Sequence, residues 1–486
     1  MADTPRPWLG RLTWSLVYGL GTQLPVLVAF VWVARHVPPA GFGTMAVAWL
    51  VAGVGQVLLL ETVGDALVRR AEFGRRDRDT TFWLCLGLGV LLALLTAAAA
   101  SPAARFFDDV MLAVVLPVLA VRLIFDALAI VPDALLRRSY AVRAVAIRGA
   151  AANLAAAVAA VMLAQAGAGV WALVAQQVVL GAVGAAVAWS AAPFLPGLPR
   201  ARPARDIWAY FAGASLFRSV DYASANLDRF LIGRFRGPTD LGLYAVALRV
   251  QFLMQELVVG NALRLVALPL FAQVSGDAVA LRTAFLRSLA IVCFVALPSM
   301  AGAAVLAGTL IPFAFGETWR PAVPVVQILL LEAMVSSLAL LNSALLRALG
   351  QPNKWLAVQA IGFVLGSMLV LAAVQDSILL VAVAVLVKAL LVFPLHLHLV
   401  RRACGFTLRD YLRELRGPAA CTVAMVATVM LLEAWLAPRL GTAGWLGAGV
   451  MAGALSYAGL MLLFFRSDIR RMLKQSPAPG HAAAGP

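Results

Sequence analysis

DALVRRAEFGRRDRDTT, residues Asp65–Thr81, separates two long apolar runs and carries five arginines: Arg69, Arg70, Arg75, Arg76 and Arg78. The next gap between apolar runs, Ser101–Asp109, carries only Arg105. The one after it holds Arg137, Arg138, Arg143 and Arg148, and Gln165–Gly169 holds none. Basic residues therefore crowd every second strip. A chain threaded back and forth through a bilayer leaves this pattern, because its basic strips stay on the cytoplasmic side.

Composition agrees. Hydrophobic residues make up 63% of the 486, and mean hydropathy is +0.91. Water-soluble domains do not carry that much apolar surface. A helix crossing the hydrocarbon core takes ~20 apolar residues. Fourteen such runs are predicted, over roughly 12–34, 43–67, 82–101, 110–132, 147–165, 170–192, 207–234, 241–269, 284–311, 322–346, 355–375, 377–399, 417–437 and 443–465. None alternates with the two-residue period of a membrane β-barrel. The expectation is an all-α polytopic membrane protein with about 14 transmembrane helices.

The net charge of +16 is one that nucleic-acid-binding proteins also show. Its distribution excludes that class. With the N-terminus in the cytoplasm, and with Arg148, Arg234 and Arg287 near span ends counted with the adjoining strips, 27 basic residues fall inside, six fall outside (Arg35, Arg105, Arg234, Arg236, Arg320 and Arg439), and six fall within spans. The inner excess meets anionic membrane lipids. Both termini are expected in the cytoplasm. Cys85, Cys293, Cys404 and Cys421 lie in spans or a cytoplasmic strip, so no disulfide is expected.

The chain also repeats itself. Ala34–Ala48 reads ARHVPPAGFGTMAVA and Gly233–Ala247 reads GRFRGPTDLGLYAVA, identical at six of fifteen positions and offset by 199 residues. ALLR recurs at Ala134–Arg137 and Ala344–Arg347. Each copy of the first echo joins an odd span to an even one, so the halves share one orientation. That is a parallel repeat about an axis along the membrane normal. It divides the chain into a six-helix lobe over 1–200, a second over 201–400, appended helices 13 and 14 over 401–466, and a disordered cytoplasmic tail over 467–486.

Charges inside the membrane cost about 2.5–3.5 kcal/mol each on insertion scales, so they face one another or an aqueous cavity. In span seven, Arg218, Asp221, Asp228 and Arg229 fall within an arc of about 100° of the helix, and in span eight Arg249, Glu256 and Arg264 within about 80°. The four arginines outnumber the three acids, leaving cations to receive an anion such as phosphate. The competing reading is a lock of buried ion pairs. That reading fits better for Arg122 with Asp126 and for Asp65 with Arg69, each spaced i,i+4. Lys388 stands in span twelve. Asn226 and Gln251, with Gln23, Gln56, Gln255 and Asn261, are suited to sugar hydroxyls or to helix packing.

Enzyme chemistry is not visible. No lysine sits in a phosphate-binding Gly-x-x-x-x-Gly-Lys-Ser/Thr loop, and no Gly-x-Ser-x-Gly elbow occurs. His396 and His398 diverge on a helix and make a poor metal site. No catalytic residue, cofactor or metal is expected.

Several stretches resemble the oligosaccharide flippase, or polysaccharide transporter, family of the multidrug/oligosaccharidyl-lipid/polysaccharide exporter superfamily. They are VARHVPPAGFGTMAVAW (Val33–Trp49) with ALVRR (Ala66–Arg70), and DALLRRSYAVRAVAIR (Asp133–Arg148) with AGAGVWALVAQQ (Ala166–Gln177). Next come NLDRFLIGRFRGPTDLGLYAVALRV (Asn226–Val250) with ALPLFAQV (Ala267–Val274), and FGETWRPAVPVVQIL (Phe315–Leu329) with LRALGQPNKW (Leu346–Trp355). The likeness is strongest to the lipopolysaccharide and colanic-acid exporter branch. It implies two six-helix lobes around a central cationic cavity. It further implies alternating access that moves a polyprenyl-pyrophosphate-linked oligosaccharide from the cytoplasmic to the periplasmic leaflet, for O-antigen or exopolysaccharide assembly. A polysaccharide polymerase and a chain-length regulator are the implied protein partners.

On that reading, Arg218, Arg229, Arg249, Arg264, Asn226 and Gln251 bind substrate, and Asp221, Asp228 and Glu256 exchange H⁺ or Na⁺. Two alternatives stand beside it: a multidrug or organic-cation exporter of the same superfamily, and a membrane-embedded glycosyltransferase or polymerase.

Overall fold

The structure, a computed structural model, describes residues 25–57, 74–139, 141–199, 222–260, 268–274 and 276–466. Among them no strand occurs, and helical backbone falls on every one of the fourteen predicted runs. In chain order these are α1 (Pro25–His36), α2 (Pro39–Gln56), α3 (Arg75–Ala98), α4 (Leu112–Arg138), α5 (Val142–Gln165), α6 (Val170–Ala191), α7 (222–235) and α8 (Gly237–Gln255). Then follow α9 (Ala278–Phe315), α10 (Val323–Ala348), α11 (Pro352–Ala373) and α12 (Ile378–Cys404). The last helical stretch, Leu408–Phe464, is broken at Gly441 (φ 66°, ψ 172°), giving α13 (408–440) and α14 (442–464). Among the described residues, ten helical stretches are long and apolar enough to cross a membrane.

The chain folds as two compact units, Met1–Ala245 with Ala314–Thr318, and Val246–Phe313 with Trp319–Pro486. In the first, α4 is the central post. Leu112, Leu116, Leu119, Leu123 and Ala127 form a buried stripe at i, i+3/i+4 spacing. The α5–α6 hairpin packs through small residues: Ala152, Ala156, Ala160 and Ala164 are all buried. Bare stripes of this kind let membrane helices approach closely where no hydrophobic drive exists between them. Its tight turn uses Gly167 (φ 75°) and Gly169 (φ 58°), a left-handed backbone that glycine adopts freely. The indoles of Trp189 and Trp83 donate to the carbonyls of Leu128 and Gly197, both at 2.9 Å.

The two copies of the sequence repeat meet inside this unit. Each starts its helix with a proline in the first turn, Pro39 in α2 and Pro238 in α8, where the missing N–H costs nothing. Each places a glycine four residues later on the same face, Gly43 and Gly242. A Cβ on Gly43 would lie 1.7 Å from the Pro238 carbonyl oxygen, and one on Gly242 would lie 1.8 Å from the Pro39 carbonyl oxygen. The contact is reciprocal, as a two-fold relation between the copies requires.

In the second unit α9 runs 38 residues with Pro298 and Pro312 inside it. The helices α13 and α14 brace it. Cys421, Met425, Tyr457 and Met461 pack with Ala301, and the Tyr457 hydroxyl donates to the Phe294 carbonyl at 2.9 Å. The first turn of α13 is closed by a capping box between Thr407 and Asp410, and Arg282 of α9 donates to Asp410 at 2.7 Å. The four cysteines are all buried.

Candidate functional site

Asp65, Arg69, Arg218, Asp221 and Arg264 lie outside the described residues. The others fall into three groups.

The first group is an ion-pair network in the first unit. Arg122 reaches Asp126 at 3.4 Å, and both side chains are largely buried. Gln56 of α2 donates to the same Asp126 oxygen at 2.8 Å. Arg122 also donates to the Gln177 side chain of α6 and lies over the Trp49 ring, 5.0 Å from its centroid. The pair thus ties α2, α4 and α6 together, and each of its charges has several partners.

The second group is on α7, also in the first unit. Arg229 donates to the Asn226 side-chain oxygen at 2.7 Å, and the Asn226 amide donates to the Tyr222 carbonyl at 2.8 Å. Asp228 accepts from the Tyr244 hydroxyl at 2.7 Å. The Tyr222 hydroxyl reaches across to α2, 3.1 and 3.2 Å from the Trp49 and Leu50 carbonyls. It occupies the space that a side chain at Gly53 would fill.

The third group belongs to the second unit. Arg249 is half-buried. Among the described residues it has no hydrogen-bond or ion-pair partner; its guanidinium lies 5.9 Å from the Phe252 ring centroid. Gln251 is engaged differently: its amide donates to Glu332 of α10. Ser336 also donates to Glu332, at 3.4 Å, and Gln255 donates to Ser336 at 2.8 Å. Lys388 of α12 stands at about the depth of Glu332, on a helix packed along α10. After Gln255 the helix widens to a π-helical turn, Glu256–Gly260, a distortion common at functional sites. The Glu256 carboxylate lies over Gly260, where a Cβ would meet it at 2.5 Å.

Glu332 is absent from the residues singled out in the sequence. One signal was available: it is the lone acid in the 26-residue apolar helix α10, and an intramembrane carboxylate marks function by default. Its partners come from two distant helices, which linear spacing does not reveal.

Fold and charge distribution together define a polytopic, all-helical membrane protein with an internal repeat. Residues 32–324 match the model of the family described as polysaccharide biosynthesis protein, and the chain belongs to that family. It is 25% identical over 390 residues to the teichuronic acid biosynthesis protein TuaB of Bacillus subtilis (strain 168), covering 76% of this chain and 77% of that one. It is 24% identical over 482 residues to the succinoglycan biosynthesis transport protein ExoT of Rhizobium meliloti (strain 1021), covering 97% and 96%. To the lipopolysaccharide biosynthesis protein WzxC of Escherichia coli (strain K12) it is 22% identical over 338 residues, covering 66% and 65%.

Two solved structures share the fold. The lipid II flippase MurJ in an inward closed conformation superposes with a TM-score of 0.77 at 13% identity, covering 94% of this chain and 100% of that one. An inward-facing multidrug resistance transporter of the MATE family gives 0.63 at 16% identity, covering 79% and 96%.

Proposed function

We propose that this protein flips a polyprenyl-pyrophosphate-linked oligosaccharide from the cytoplasmic to the periplasmic leaflet of a bacterial inner membrane, for O-antigen or exopolysaccharide assembly. The family membership and the three polysaccharide-assembly relatives support the substrate class. The physical task is lopsided. A polyprenyl tail favours hydrocarbon by ~0.8 kcal/mol per CH₂ and stays in the bilayer throughout. Only the pyrophosphate and the sugars need a polar route. Arg218, Arg229, Arg249 and Arg264 contribute cations to a cavity for the pyrophosphate, with Asn226 beside Arg229. Two six-helix lobes over 1–200 and 201–400 alternate the access, and both termini lie in the cytoplasm. A polymerase and a chain-length regulator take the product onward.

The observation that carries this reading is Arg249, a cation in a membrane-spanning helix with no carboxylate partner among the described residues. A guanidinium left in that state is a receptor for an anion. An organic-cation exporter needs free acids instead. Asp126, Asp228 and Glu332 already accept hydrogen bonds from protein donors. Deleting the gene tests the proposal. Cells lose the surface polysaccharide and accumulate its lipid-linked repeat unit facing the cytoplasm. Intact polysaccharide with altered sensitivity to cationic drugs would favour the exporter.

A further inference from the structure

The second unit holds a buried polar column that the flippase reading leaves unused. The helices α10 and α12 pack along each other and run parallel, joined through α11. Glu332 lies nine residues into α10 and Lys388 ten residues into α12, so the two sit at one depth. Asn342 follows Glu332 by ten residues, ~15 Å along the helix, and His396 follows Lys388 by eight, ~12 Å. These two are again at one depth, displaced toward the end that the charge pattern assigns to the cytoplasm.

Asn342 is 0% exposed and His396 5%. Among the described residues, both polar atoms of the amide and both ring nitrogens of the imidazole lack a hydrogen-bond partner. His396 stacks on Trp355 of α11, with ring centroids 4.4 Å apart, so its ring is held while its nitrogens stay unpaired. Buried polar groups without protein partners are satisfied by internal water. A donor–acceptor amide on one helix and an imidazole at the same depth on the helix packed against it are a fitting lining for it.

We propose that Glu332 is a proton-binding carboxylate with Lys388 as its counter-charge, and that Asn342 and His396 hold the water through which the proton exchanges with the cytoplasmic side. Deprotonated, Glu332 is balanced by Lys388 and by the amide of Gln251. Protonated at the oxygen that Gln251 and Ser336 share, it becomes a donor there, and the hydrogen bond from Gln251 moves to the other, still accepting oxygen. Gln251 lies two residues from Arg249, so the proton acts on the helix that carries the Arg249 guanidinium. Other charged or titratable groups on these helices are Arg347 on α10, Lys354 on α11, His398, Arg401 and Arg402 on α12, Arg249 on α8, Arg282 and Arg287 near the start of α9, and Glu256 beyond α8; Lys388 is the cation that stands at the depth of Glu332 on the helix packed along α10. The link to transport rests on the flippase reading; the proton site does not.

Infrared difference spectroscopy of the full-length protein in lipid nanodiscs tests it, with no substrate present. The wild type is expected to show a carboxylic-acid carbonyl band that titrates, and Glu332→Gln to lack it. In an Asn342→Leu/His396→Leu double variant the band remains, and its hydrogen–deuterium exchange slows about a hundredfold, the scale lost with positioned proton-transfer groups. Replacing unpaired buried polar groups by apolar ones leaves folding near neutral. A wild type without the band, a band that survives Glu332→Gln, or a double variant that exchanges at the wild-type rate each overturns the proposal. Absence of lipid-linked oligosaccharide flipping by protein that shows the band would count against the flippase reading alone.

Discussion

Alanine at Gly43 or at Gly242 is expected to abolish glycan export while the protein still accumulates in the membrane. Elsewhere in a helix, glycine to alanine stabilises by about 1 kcal/mol. Here the new Cβ would lie 1.7 or 1.8 Å from a proline carbonyl oxygen of the opposite helix. The obstacle is backbone, so the two helix ends must separate. Overpacking of this kind costs about 1–3 kcal/mol. Applied to one conformational state, that shifts an equilibrium about 5–150-fold. The destabilised state is the one in which the ends of α2 and α8 touch, at the face that the charge pattern assigns to the periplasm. A buried cysteine reports the change. Pro39→Cys is expected to resist an impermeant thiol reagent in the parent and to react once Gly242→Ala is added; the native cysteines, all buried, give little background. Full export by both alanine variants, with Pro39→Cys still protected, would show that the contact bears no part in the cycle.

Arg249 carries the second large effect. Arg249→Ala is expected to stop export with normal protein levels, and Arg249→Lys to restore it only in part, because lysine keeps the charge and loses the planar fork. The comparison with Arg122 separates function from stability. Removing Arg122 strands Asp126 in a buried site, which typically costs about 3–5 kcal/mol, so Arg122→Ala is expected to lower the amount of protein. Arg249 has no carboxylate partner among the described residues to strand. A complementation assay for surface polysaccharide, with membrane levels measured in parallel, reads both. Full export by Arg249→Ala would reject its role as the anion receptor.

These two sites differ in how far the sequence revealed them. The spans were legible because the hydrocarbon core imposes length and polarity directly on the chain, and the described residues of all fourteen carry helical backbone. The echo between Ala34–Ala48 and Gly233–Ala247 was legible as a repeat; that Gly43 and Gly242 each receive the other copy's proline carbonyl was not, because nothing in a sequence says two helices touch. Helical spacing put Asp228 and Arg229 on one side of α7. It did not say that Tyr244 and Asn226 would engage them. Gln251 read as an amide for sugar hydroxyls or for helix packing; that it donates to Glu332 was not legible. Partners of buried polar groups are set by tertiary packing, and single-helix periodicity carries no record of it.

The central claim is that this chain moves a lipid-linked oligosaccharide across the bilayer. Purified protein reconstituted into vesicles with a polyprenyl-pyrophosphate oligosaccharide bearing a fluorescent sugar measures that movement directly. The account predicts that label in the inner leaflet becomes accessible to an external quencher when the protein is present, and that Arg249→Ala vesicles leave it protected. Inner-leaflet label that stays protected with folded wild-type protein, in vesicles that do transport organic cations, would contradict it.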